Sequence, residues 1–108
     1  MTNHVDGTNF EQQVLKSEVP VLVDFYATWC PPCRQLAPRI DELSAEFAGR
    51  AGVVKVNVDE AGDLGARFRI SSVPTLILFD QGEAVGRWSG IQSKQALAAA
   101  LDRRIAGR

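Results

Sequence analysis

Apolar residues recur along this chain with two different spacings, and the changes of spacing mark its elements. Residues 19–26, Val-Pro-Val-Leu-Val-Asp-Phe-Tyr, are almost continuously apolar, which is how a strand covered on both faces reads. Farther on the period turns helical: Leu36, Ile40, Leu43 and Phe47 recur at four, three and four residues and form one buried stripe. Alternation returns over 53–58, with Val54, Val56 and Val58 on one face and Val53, Lys55 and Asn57 on the other. A weaker helix follows over 60–68, where Leu64 and Phe68 lie one turn apart and Gly62 and Gly65 interrupt. Residues 76–79 read as another strand, Asp80-Gln81-Gly82-Glu83 as a turn, and 84–89 as a strand returning antiparallel to Gly90. Ser93 then caps a last helix whose stripe is Leu97, Leu101 and Ile105.

Local signals refine these elements. Thr8-Asn9-Phe10-Glu11 has the capping-box pattern, with Thr8 as N-cap, so a short helix with Phe10 and Val14 on one face is expected to about Ser17. Pro32 suits the first turn of the long helix, where its missing N–H is not needed. Pro38 lies inside that helix and should kink it by freeing the Arg34 carbonyl, and Gly49 should end it. The order is helix, strand, helix, strand, helix, strand, strand, helix. Alternation closed by a hairpin predicts an α/β fold with one mixed sheet and helices on both faces. The 108 residues fit a single domain, 1–108, with one core.

Composition removes several functions. The formal net charge is −1, which offers no basic field for nucleic acid or anionic lipid. No apolar run reaches the roughly 18 residues that a membrane span needs. Residues 1–6 are polar and lack the apolar core of a signal peptide, so the expected address is the cytoplasm, and a monomer is the default. Trp88 reads as packing on the returning strand, and His4 has no partner in the sequence.

The chemistry is concentrated in Trp29-Cys30-Pro31-Pro32-Cys33, which holds the only two cysteines. Zinc wants four ligands, and one Cys pair with a distant His4 does not supply them. A c-type haem needs His directly after the second cysteine, where Arg34 stands. An iron–sulfur cluster lacks thiolates. No metal and no cofactor site of the chain's own is expected. A pair this close can close a small ring and open it again, so dithiol–disulfide exchange is the favoured use. Two inert core cysteines remain the alternative, against which the prolines and the helix start argue. Asp24 interrupts the buried strand; an acid there points to function, since burying its charge lowers stability. Lys55 is either partly buried or reaches solvent at the strand edge, and pairing with Asp24 would account for both residues.

These residues resemble the thioredoxin family from about Phe10 to Ile105. Val-Asp-Phe-Tyr-Ala-Thr-Trp-Cys, Pro-Cys-Arg and Ala-Pro are similar to its active-site strand and helix. Lys55-Val56-Asn57-Val58-Asp59 is similar to its third-strand signature, and Val73-Pro74-Thr75-Leu76 to the loop with its cis proline. The resemblance implies a thioredoxin fold and a protein-disulfide reductase. It implies Cys30 as the exposed nucleophile, Cys33 as the resolving thiol, Asp24 as the acid that takes the Cys33 proton and Lys55 as its charge partner. Trp29, Val73, Pro74, Gly90 and Ile91 match the surface that receives the substrate chain. The implied partners are disulfide-containing proteins and a flavin-containing, NADPH-dependent thioredoxin reductase. A helix N-terminus stabilises a thiolate, and a cis X–Pro bond turns the backbone before it toward an extended peptide, which agrees with these roles.

The departure is Pro31, where the usual motif is Cys-Gly-Pro-Cys. Pro31 and Pro32 remove both intervening N–H groups and stiffen the loop, so they are expected to tune the redox potential. Tyr26 replaces the Trp common in bacterial members. Two other readings compete. An exported oxidant or isomerase usually carries His where Pro32 stands, and exported cytochrome-maturation reductases typically have an anchor and an insertion. A non-catalytic docking module would not need the two thiols.

Overall fold

The computed structural model describes residues 2–107, in which five strands form one sheet in the order β1-β3-β2-β4-β5. The strands are β1 (Asn3–His4), β2 (Val21–Tyr26), β3 (Gly52–Asn57), β4 (Thr75–Asp80) and β5 (Glu83–Ser89). The helices are α1 (Pro31–Glu46), α2 (Gly62–Arg67) and α3 (Lys94–Ala106), with a short π-helical turn at Glu11–Leu15. Strands β1 and β2 run parallel to β3, and β4 runs antiparallel to both β2 and β5, so the expected mixed sheet is present.

The continuous apolar run of β2 reflects its central place. Its alternate side chains enter two different cores. Val21, Val23 and Phe25 join Phe10, Val14, Val56, Leu64 and Phe79 on one face of the sheet. Leu22 joins the α1 stripe Leu36, Ile40, Leu43 and Phe47, with Leu97 and Leu101 of α3, on the other. Truncating a fully buried Leu here, such as Leu36, would remove roughly 2–5 kcal/mol of stability. Trp88 packs at the edge of this second core, as the sequence suggested.

Four local readings need correcting. Thr8 does not cap a helix: its N–H and hydroxyl donate to the Asp6 carboxylate, and the backbone carbonyl of Asp6 receives the N–H of Phe10. The Asp6 carboxylate, which only accepts, holds Thr8 in an Asx-type turn, and no side chain caps the helix that follows. The helix after it is the π turn and stops at Leu15, short of Ser17. Strand β1 was not legible at all, because it has two residues, both exposed. Helix α1 ends at Glu46, before Gly49, whose φ of +85° lies in the turn that follows. The hairpin turn Gln81-Gly82 takes φ values of 52° and 82°, the positive pair that suits a two-residue β-turn.

Candidate active site

Strand β2 ends at Tyr26 and delivers the chain to the N-terminus of α1 through Ala27, Thr28 and Trp29. Cys30 is the N-cap, in an extended conformation with φ −94° and ψ 108°. Pro31 and Pro32 fill the next two positions, where a fixed φ suits the helix and no N–H partner exists. The first motif N–H that can reach the cap is therefore that of Cys33, which lies 3.2 Å from Cys30 Sγ. Cys30 and Cys33 are joined as a disulfide with Cα atoms 5.3 Å apart.

Cys30 Sγ also lies 3.6 Å from the carbonyl of Val73, which precedes the cis bond to Pro74. The Pro74 carbonyl accepts the N–H of Gly90 at 2.9 Å, and Gly90 has φ +83°, a conformation that disfavours a side chain. Trp29 and Ile91 are exposed, at 65% and 38%, and the Trp29 indole N–H donates to Asp59 at 2.8 Å. The loops thus bring Cys30, Val73, Pro74, Gly90 and Ile91 to one end of the sheet, with Trp29 beside the sulfur in sequence. Asp59 was not anticipated as a partner, although it closes the third-strand motif.

Burial corrects one implication of the resemblance. Cys30 is 2% exposed and Cys33 4%, so both residues are buried in the disulfide form and Cys30 does not stand out as the exposed one. Cys33, Ala27 and Val73 cover it. What separates the two is the cap position, where the helix N-terminus and the Cys33 N–H favour negative charge on Cys30.

Asp24 is fully buried beneath this end of the sheet, and neither carboxylate oxygen has a hydrogen-bond partner among the described residues. Burial pushes its carboxyl from an ordinary 3.8 to about 7, against an opposing pull from the Lys55 charge. Lys55 stands directly opposite on β3, yet the two form no ion pair among the described residues. The expected pairing is corrected to a longer-range attraction. The Lys55 ammonium instead sits over the Tyr26 ring, 4.5 Å from its centroid, in a cation–π contact. The Tyr26 hydroxyl meets His4 Nδ1 at 3.0 Å, so His4 does have a partner, supplied by the unforeseen strand β1. A shallow depression of about 220 Å³, lined in part by Tyr26, Ala27, Cys33 and Lys55, lies on the Cys33 side of the site.

No helix of the described residues is long and apolar enough to cross a membrane. The thioredoxin family model matches residues 1–103. Thioredoxin of Rickettsia felis is 44% identical over 97 residues, covering 90% of this chain and 92% of its own. Thioredoxin of Haemophilus influenzae is 41% identical over 102 residues, covering 94% and 95%. Thioredoxin of Synechocystis is 43% identical with the same coverage.

Proposed function

The chain belongs to the thioredoxin family, whose members are disulfide oxidoreductases, and we propose that in it Cys30 attacks a target disulfide and Cys33 resolves the intermediate. The observation that carries this assignment is the cap: Cys30 Sγ receives the Cys33 N–H at 3.2 Å, at the positive end of α1. The Cys30 thiolate forms a bond to one target sulfur, and the other target sulfur leaves as a thiolate and takes a proton. Asp24, poised at about 7, takes the Cys33 proton near neutral pH. The Cys33 thiolate then attacks Cys30 sulfur, forming the Cys30–Cys33 disulfide and releasing the second target thiolate. Two electrons pass from the pair to the target.

The same reading gives Lys55 the task of favouring ionised Asp24 through the charge it holds on the adjacent strand. Val73, Pro74, Gly90, Ile91 and Trp29 form the rim on which an extended target chain lies, with the Val73 carbonyl available to pair as in an added strand. Pro31 and Pro32 set the redox poise by withholding donors from Cys30. The working partners are disulfide-containing proteins and a thioredoxin reductase that returns electrons from NADPH, and the working compartment is the cytoplasm, where thiols are kept reduced.

Insulin reduction tests this reading, first with dithiothreitol and then with NADPH and a thioredoxin reductase. A rate well above the uncatalysed one is expected in both. No acceleration with dithiothreitol overturns the reductase reading; acceleration with dithiothreitol alone overturns the partner.

A further inference from the structure

Helix α1 carries the cysteines, but the substrate rim lies on loops that follow other elements. One side chain ties them together. Arg39, six residues past Cys33 on α1, donates from Nη1 to the carbonyl of Gln92 at 2.8 Å, a partly buried bond between residues 53 apart in sequence. Arg39 makes no ion pair among the described residues, so its charge is not committed to a carboxylate. Gln92 in turn donates from Nε2 to the carbonyls of Ser89, at 3.0 Å, and Gly90, at 3.4 Å. Gly90 donates its N–H to the Pro74 carbonyl at 2.9 Å. The contacts form one continuous line from the cysteine helix through 89–92 to the Val73-Pro74 loop, which itself lies against Cys30 Sγ.

We propose that Arg39 is a positioning residue for protein substrates: through Gln92 it fixes the Gly90-Ile91 side of the rim relative to the Cys30 sulfur. The inference rests on the proposed dithiol exchange and names a residue that sets its choice of substrate. Gly90 needs such a brace. Its φ of +83° lies where a glycine also has many other conformations open to it, so backbone hydrogen bonds alone select this one weakly. Lys94 also ties the start of α3 to Glu42 and Glu46 of α1, but those pairs are exposed and screened by water and salt. A rim held in its bound form spares a target chain the entropy of ordering it, so losing the brace weakens protein binding. A small disulfide reaches the sulfur without using the rim and does not sense the loss.

The test compares Arg39→Met, which keeps the aliphatic stem, with the unaltered protein on two substrates. With insulin, KM should rise roughly two- to tenfold, the range that one hydrogen bond produces, while kcat changes little. With a small aromatic disulfide, dithiobis(nitrobenzoate), the second-order rate should stay within about twofold. Arg39→Lys, which keeps a donor, should recover part of the insulin KM, and Gln92→Ala should raise it in the same direction. An unchanged insulin KM in Arg39→Met and Gln92→Ala, or equal losses on insulin and the small disulfide, overturns the proposal. If the unaltered protein fails on insulin, the dithiol-exchange reading fails instead, so the two failures are distinct.

Discussion

Asp24 and Lys55 face each other in register across β2 and β3, yet the cation rests on the Tyr26 ring and the carboxylate stays unpaired in the core. The separation has a chemical consequence. A contact ion pair would pull the Asp24 carboxyl down by one to several units, roughly 1–3, and make it a poor proton acceptor near neutrality. Burial without a partner pushes it to about 7 instead.

The first expected outcome concerns stability. Because the folded-state value of about 7 lies above the ordinary 3.8, the folded chain keeps a proton that the unfolded chain releases between them. This contribution is fully present below about pH 4 and is lost as pH rises through about 7. Asp24→Asn removes the titration. In urea melts the variant should match the unaltered protein near about pH 4 and exceed it by roughly 1–4 kcal/mol near about pH 8. Lys55, only partly buried, remains able to reach water. A variant less stable at the higher pH would make Asp24 a structural partner.

A second outcome is kinetic. Resolution of the mixed disulfide should quicken as pH rises through about 7 and then level off, following ionisation of Asp24. In Asp24→Asn that inflection should disappear and resolution should slow roughly ten- to a hundredfold, while the first attack by Cys30 changes less. Rapid-mixing measurements of the two phases across pH decide this. Equal slowing of both phases would remove the assigned proton transfer.

Pro32→His should shift the redox poise toward an oxidant. Of the residues between the thiols and Cys33 itself, only Cys33 offers an N–H to Cys30 Sγ. The substitution restores a second N–H at a position from which an N-cap can accept, and adds a positive charge when protonated. A hydrogen bond to a charged group contributes roughly 1.5–3 kcal/mol, which for two electrons is about 30–65 mV upward and about one to two units off the thiolate pKa. Thiolate absorbance against pH and the equilibrium with glutathione measure both. An unchanged pKa with an unchanged or lower potential would show that local donors do not set the poise.

The sequence revealed the long-range plan better than the local joins. Leu36, Ile40, Leu43 and Phe47, and the apolar run at β2, carry many side chains each, so burial dominates and the pattern is visible. Ser93 capped as read, with the Ala96 N–H at 3.1 Å. Thr8 did not, because its N–H and hydroxyl donate back to the Asp6 carboxylate in a local turn, and the helix after it has Phe10 at its N-cap without a side-chain cap. Strand β1 leaves no periodic signal in two residues, and His4 therefore looked idle until β1 placed it beside Tyr26. Cys30, Cys33 and Asp24 were legible because cysteines are scarce and a buried acid is unfavourable. The partnership of Asp24 and Lys55 was legible in register but not in contact, since one aromatic ring decided where the ammonium rests. Arg39 and Gln92 had no signal at all, because their link joins backbone to side chain across loops.

The assignment of attacking and resolving sulfurs is tested most directly by trapping. Cys33→Ser and Cys30→Ser, each reduced and mixed with a disulfide substrate, are read by mass spectrometry. Cys33→Ser should accumulate a covalent adduct through Cys30, because the thiolate at the helix cap attacks and no second thiol releases it. Cys30→Ser should show none, since a hydroxyl is not ionised at neutral pH. Adduct in both variants, in neither, or only in Cys30→Ser would contradict the assignment.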